Sequence, residues 1–383
     1  MTDSATPASF EEVAATLQAA TADGREVRII GAGTKLGWLQ ADPEASSALL
    51  LRTVGLRQPI EHHPDDRVAV ISAGVPVAAA RDELAAAGQL LALDPPFGSD
   101  GRQQATIGGV FASADAGPIS HRYGGAREQL TGIVVALADG TIARAGGQTP
   151  RNVAGYDLAS LYTGSFGTLG VILAVCVRLQ RLPEATATAL GTATDPAALV
   201  DAARRLNAAF PDLQALDLAW RGGRGGLLAQ VAAARPAGAA RRVAQAMAAA
   251  GLRNLEVIDQ DSGLWARQRA GQRSAARALV RVTAGCSRLP SLLALADTCD
   301  ATVIARAARG IGYLELEPER TEALLAGLPA GARAAVLDLP AEATLEGGRW
   351  RGSGPGSPEL MHAVKAGLDP AGTCNPGALV IGV

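Results

Sequence analysis

The residues of this 383-residue chain best suited to chemistry are glycines set among small polar side chains. Over residues 151–172 the run RNVAGYDLASLYTGSFGTLGVI carries Gly155, Gly164, Gly167 and Gly170, with Ser165 and Thr168 between them. Glycine weakens helix and strand alike; what it permits is positive φ and close approach of the backbone to another group. The exposed amides of such a loop suit a phosphate or a flat polar ring. A tight helix–strand connection would use the same residues. Two earlier stretches share this character: residues 27–38, VRIIGAGTKLGW, and residues 105–125, ATIGGVFASADAGPISHRYGG. Three glycine-rich loops, each beside apolar sequence, point to one extended ligand touched repeatedly.

Other reactive types are sparse. His62 and His63 stand beside Pro64 and read as a surface turn, His121 lies in the middle glycine segment, and His362 falls in a C-terminal helix. A lone histidine is more often structural than functional. Cys176, Cys286, Cys299 and Cys374 have no CxxC spacing, so neither a zinc site nor an iron–sulfur cluster is expected from this chain. The loop Gly31, Ala32, Gly33, Thr34, Lys35, Leu36, Gly37 departs from the GxGxxG dinucleotide fingerprint, because its third glycine falls one residue late. No amphipathic helix follows, and no acidic residue ends a second strand at the required distance, which disfavours a Rossmann site. A loop whose backbone amides hold a diphosphate without a helix dipole fits better.

The elements that must position these loops alternate between β and α through the first half. Ser9 is placed to cap a helix over residues 10–22, with Glu11 and Glu12 in its first turn. Strands are expected over residues 27–30, 47–52 and 67–72, a helix opened by Pro76 over residues 76–87, and an apolar strand over residues 130–137 turned at Asp139-Gly140. From residue 184 the pattern becomes strand, helix, strand, strand, helix, strand, the ferredoxin-like order. Its strands fall at 186–192, 215–220, 226–232 and 252–258, and a comparable set runs over residues 278–339. A last helix over residues 360–368 leads to the tail DPAGTCNPG.

Length suggests two domains. Apolar residues make up 48% and charged residues 19%, which reads as a globular chain, and a net charge of −2 gives no reason to expect nucleic acid as a partner. No run of about 18 apolar residues is present to span a membrane, and no secretory signal is read. Phe97, Phe111, Tyr123, Tyr156, Tyr162 and Phe166 cluster within seventy residues, as either a flat ligand or a well-built core would require.

The glycine trio, the Asp139-Gly140 turn and the run 152–158 resemble the PCMH-type FAD-binding domain of vanillyl-alcohol oxidase-type flavoproteins, nearest to the FAD-binding subunits of bacterial glycolate oxidases. The resemblance is strong over residues 27–183 and weaker in the tail. It implies an α+β fold: a two-subdomain FAD-binding domain over residues 1–184, a ferredoxin-like cap over 185–345, and a segment 346–383 returning to the FAD domain. It implies a diphosphate role for Gly31, Ala32, Gly33, Thr34, Lys35 and Leu36. Thr106, Ile107, Gly108, Gly109 and Ser113, then Arg122, Tyr123 and Gly124, would lie along the pyrophosphate and the isoalloxazine. Gly155, Gly167, Thr168, Gly170, Val171, Ile172 and Asn375 complete the implied cofactor-binding set. Covalent relatives offer histidine where Thr34 and Lys35 stand, so the FAD is expected to be dissociable. The implied partners are a larger FAD-containing catalytic subunit and an iron–sulfur subunit, acting on a small 2-hydroxy acid in the cytoplasm, with any inner-membrane attachment made through them. A stand-alone FAD enzyme for another small alcohol or amine, and a structural subunit without cofactor, are the other readings. The family commonly has an aromatic at the position of Cys374 and a basic residue at that of Ala378; neither is present here.

Overall fold

The computed structural model describes residues 3–39, 48–96, 105–147, 157–346, 348–352 and 357–378. Phe97, Gly155, Tyr156 and the rest of the run 151–156 lie outside the described residues. The chain divides into two compact units, Met1–Ala116 with Gly124–Leu182 and Gly354–Val383, and Gly117–Tyr123 with Pro183–Ser353.

In the first unit, strands Ser4–Ala5, Leu49–Arg52 and Val27–Ile30 form a parallel sheet in that order. A five-stranded antiparallel sheet runs Glu61–His63, Val68–Ser72, Val171–Arg178, Leu130–Ala136, Ile142–Gly146. Its central strand, Val171–Arg178, is buried at every residue but the last, which is why it reads as an unbroken apolar run. The hairpin between Leu130–Ala136 and Ile142–Gly146 turns where expected, with Gly140 at φ 85 and the Asp139 carboxylate accepting from Thr141 N at 2.8 Å. Helix Phe10–Ala22 starts at Ser9, whose hydroxyl accepts from Glu12 N at 3.1 Å, and buries Val13 and Leu17 against the core. Full burial of such a side chain contributes about 1.5–3 kcal/mol. The paired histidines His62 and His63 sit in the edge strand Glu61–His63 rather than in a turn, and His62 Nε2 meets Gln89 Oε1 at 3.0 Å.

The middle glycine segment is helical where its glycines suggested a loop. Ile107–Ser113 is an α-helix capped by Thr106, whose hydroxyl accepts from Gly109 N at 3.3 Å. Ile107, Val110 and Phe111 follow helical spacing and are buried. A Cβ on Gly108 would stand 2.7 Å from that of Ala73, so this glycine lets the helix lie against its neighbour.

The second unit is one antiparallel sheet of nine strands with helices packed on it. Strands run Arg253–Ile258, Thr186–Ala193, Arg224–Ala232, Ala215–Arg221, which is the ferredoxin-like order of the first βαββαβ set. Thr302–Arg306, Ile311–Leu316, Ala278–Thr283 and Arg333–Asp338 repeat that order in mirror sequence, and the short strand Trp350–Arg351 ends the sheet. The two sets join edge to edge through Ala215–Arg221 and Thr302–Arg306, which leaves neither of those edges open. Leu216, Leu218 and Trp220 alternate toward the helices and pack with Leu206, Leu292 and Ala296. On the other face, Asp217 pairs with Arg306 across the join, both fully buried. Buried Asp261 gathers the Thr186 hydroxyl at 2.9 Å, the Thr188 hydroxyl at 2.7 Å and the Gln230 amide at 2.9 Å, tying helix Ser262–Ala270 to the sheet.

Candidate cofactor site

Strand Val27–Ile30 delivers the chain into residues 31–36, where Gly33 has φ 76 before a 3-10 turn at Leu36–Trp38. A Cβ on Gly31 would overlap the hydroxyl of Thr106. The missing side chain is therefore what lets this loop touch the start of helix Ile107–Ser113. Gly31, Ala32, Gly33, Thr34, Lys35 and Leu36 line one depression together with Thr106, Gly109, Ala112, Ser113 and Phe166. Among the described residues, the amides of Ala32, Gly33 and Lys35 donate to no carbonyl. Such clustered amides suit anionic oxygens. The Lys35 ammonium lies 3.2 Å from the buried Asp115 carboxylate and 5.8 Å from the Trp38 ring centroid.

The third glycine loop packs beside the same helix. Gly164 N donates to Phe111 O at 3.0 Å and Phe166 N to Ala112 O at 2.8 Å, with Gly164, Phe166, Gly167 and Gly170 all at positive φ. A Cβ on Gly170 would stand 2.6 Å from Ala136 O, and one on Gly167 2.8 Å from Asn375 Nδ2. The Asn375 side chain bridges three segments: Oδ1 accepts from Ile29 N at 2.7 Å, and Nδ2 donates to Phe166 O at 2.7 Å and Ile29 O at 3.2 Å. Backbone bonds Val27 N to Thr373 O at 2.7 Å and Asn375 N to Val27 O at 2.9 Å lay the tail along the free edge of the parallel sheet. Cys374 is buried in that seam, and burial, then the Asp369 carboxylate, pushes its thiol up to about 12.

The remaining sequence-derived residues fall elsewhere. Ile107, Gly108, Val171 and Ile172 are core positions, and the buried Thr168 hydroxyl donates to Ser165 O at 2.7 Å rather than into the depression. Arg122 and Tyr123 belong to the second unit. Arg122 pairs with Asp212 at 3.2 Å, and the Tyr123 hydroxyl donates to Gln214 Oε1 at 2.7 Å. Between the glycine segment's helix and Gly124, helix Ser120–Tyr123 is fastened by Arg309, whose guanidinium donates to Ser120 O at 2.6 Å. His121 on this helix is held to about 4 by burial, with Arg309 and Arg122 adding repulsion, so its ring is neutral near pH 7. Gly124, at φ 80, returns the chain to the first unit, and Gly155 lies outside the described residues. Sequence reading missed Asp115, Lys365 and Asp369. Only the i,i+4 spacing of the last two was available as a signal.

Residues 4–146 match the family described as FAD binding domain. That part of the chain is similar to the FAD-binding domain of this family. D-lactate dehydrogenase of Archaeoglobus fulgidus is 34% identical over 173 residues, 45% of this chain and 37% of that protein. D-2-hydroxyglutarate dehydrogenase of Xanthomonas citri is 30% identical over 179 residues, 47% of this chain and 37% of that one. Glycolate oxidase subunit GlcE of Escherichia coli is 33% identical over 127 residues, 33% of this chain and 35% of the subunit. The matches thus span little more than a third of each relative's length, 35–37%. Among solved structures, alkyldihydroxyacetonephosphate synthase superposes at a TM-score of 0.71 with 15% identity, covering 97% of this chain and 75% of that one. The glucooligosaccharide oxidase of Acremonium strictum superposes at 0.69 with 15% identity, covering 99% and 90%. The matched stretch takes in both the loop 31–36 and helix Ile107–Ser113, the two elements that meet at Gly31 and Thr106.

Proposed function

We propose that this chain is the FAD-binding subunit of a complex that oxidises glycolate or a similar small 2-hydroxy acid to the 2-oxo acid, passing electrons to an iron–sulfur partner. The observation that carries the reading is the depression lined by residues 31–36, Thr106 and Gly109, where the absence of a side chain on Gly31 lets the loop come against the Thr106 hydroxyl. The names of the relatives support the substrate class, since lactate, 2-hydroxyglutarate and glycolate share a hydroxyl beside a carboxylate.

Bound FAD would supply the two-electron acceptor for that chemistry. The chain's own part is to bind and orient it. Loop 31–36 would hold the diphosphate through backbone N–H groups, with the Lys35–Asp115 ion pair fixing the loop. Loop 164–170, shaped by its positive-φ residues, would form an adjoining wall through Phe166. Among the described residues neither histidine nor cysteine lines the depression, which supports non-covalent, dissociable FAD. Oxidation removes the hydroxyl proton, and from the adjoining carbon a second hydrogen with the electron pair, so a base is required besides the FAD, and the two electrons would then pass from the flavin to the iron–sulfur partner. The complex is placed in the cytoplasm, and the inner membrane would be reached only through partners.

Acid precipitation of the purified yellow protein should leave the flavin in the supernatant. A pellet that keeps its colour would contradict non-covalent binding, and a colourless native chain would contradict cofactor binding.

A further inference from the structure

Of the 35 lysine and arginine residues only two are lysine, Lys35 and Lys365, and both lie in the first unit, Lys35 partly buried and Lys365 buried. Lys35 belongs to the cofactor depression. Lys365 lies in the last turn of helix Ser357–Leu368 and points into the protein. Its ammonium meets three acceptors: Thr168 O at 2.6 Å, Asp369 Oδ2 at 2.5 Å and Cys374 O at 2.7 Å. An ammonium has three N–H donors, and all three are used. The Asp369 carboxylate is closed in turn, accepting from Thr373 N at 3.0 Å and Cys374 N at 2.7 Å. One side chain thus fastens the last helix, the tail and loop 164–170 at a single point. Arginine would not serve, because its planar fork spreads its donors over a longer frame.

The fastening reaches the depression through the backbone. Thr168, whose carbonyl Lys365 holds, is two residues from Phe166, which lines the depression, and next to Gly167, at φ 74. Asn375, one residue beyond Cys374, holds Phe166 O and both backbone groups of Ile29, just before loop 31–36. Lys365 and Asn375 therefore set loop 164–170 from opposite ends of the tail. A buried charge is worth this arrangement only if every partner is in place, so the loop has one conformation that satisfies it.

We propose that Lys365 is a positioning residue that holds loop 164–170 in its FAD-receiving conformation, so that cofactor affinity depends on it beyond its share in stability. This rests on the reading that the first unit binds FAD through loops 31–36 and 164–170. The test compares Lys365→Met with Val364→Ala, a neighbour on the same helix that packs against the core. FAD dissociation constants are measured by ultrafiltration, and melting temperatures on the FAD-free proteins.

Lys365→Met should weaken FAD binding at least about tenfold, Lys365→Arg should not rescue it, and Val364→Ala should stay within about twofold at a similar loss of melting temperature. Equal loss of affinity in the methionine and alanine variants at matched stability would reduce Lys365 to a structural residue and overturn the proposal. Unchanged affinity in Lys365→Met would do the same. A wild-type chain that takes up no FAD overturns the reading beneath it, and the proposal with it.

If Lys365→Met does not fold, the wild-type chain decides, since it has only two ε-amines to follow by peptide mass. FAD should slow acylation of Lys365 at least about tenfold, because acylation requires the loop to open and bound ligand opposes opening. Equal rates with and without FAD would overturn the proposal.

Discussion

Gly31 shows how a missing side chain becomes a binding feature. The space its Cβ would fill holds the Thr106 hydroxyl, which also caps helix Ile107–Ser113. Gly31→Ala should destabilise the chain by about 1–3 kcal/mol through overpacking, and lower the flavin-to-protein ratio. Adding Thr106→Ala should recover stability less the cap's contribution of about 1 kcal/mol, which thermal melts of single and double variants would measure. Gly167→Ala places a Cβ at φ 74 and 2.8 Å from Asn375 Nδ2, so it should cost at least about 1 kcal/mol and lose FAD while the fold survives. Thiol chemistry gives a separate check. Cys286 is exposed while Cys176, Cys299 and Cys374 are buried, with the Cys374 thiol up at about 12 and that of Cys176 raised by burial. A disulfide reagent near pH 7.5 should titrate one thiol quickly in the native protein, and the other three only on unfolding. Fast release of two or more equivalents would contradict this burial pattern.

Among the elements, the short helix Ser120–Tyr123 has the sharpest solution signature. His121 is neutral in the folded chain because burial, Arg309 and Arg122 hold it to about 4, against an ordinary value of 6.5. Between these values the unfolded chain binds the extra proton, so this contribution to stability is complete above pH 6.5 and is lost as pH falls toward 4. His121→Gln should flatten the fall in stability across that window, measured by denaturant melts at pH 7, 5.5 and 4.5. An unchanged slope would show that His121 titrates alike in both states. The same helix shows why glycine content misleads over residues 105–125. Its neighbour Ile107–Ser113 tolerates Gly108 and Gly109 because Thr106 caps it and Ile107, Val110 and Phe111 bury its inner face.

For the whole molecule, the proposed place in a complex makes a prediction about turnover. Among the described residues no three His, Cys, Asp or Glu side chains converge as metal ligands, and the four cysteines are dispersed between the two units. Three arginines that could hold a substrate carboxylate are engaged within the second unit: Arg122 with Asp212, Arg349 with Val336 O at 3.2 Å, and Arg351 with Glu322 at 3.5 Å. The isolated chain should therefore reduce a dye with glycolate slowly or not at all, and gain activity when a larger flavoprotein subunit and an iron–sulfur subunit are added. Turnover by the chain alone at the rate of the mixture would restore the stand-alone enzyme.

Much of this architecture was legible because it follows from neighbours in sequence. Alternating and helical periodicities placed the strands and helices of both βαββαβ sets, Asp139-Gly140 marked its hairpin, and the glycine spacing in residues 31–37 disfavoured a Rossmann turn. These features act over a few residues, within reach of propensity and pattern. Tertiary structure alone decided what those rules cannot see. It joined the two sets edge to edge through Asp217 and Arg306, seated residues 117–123 in the second unit, and made a helix of the middle glycine segment. It also tied Lys365 to Thr168 across 197 residues and Asn375 to Ile29 across 346. A buried ammonium or amide is determined by which acceptors remain unsatisfied once the core has closed around it, and no local stretch of chain contains that information.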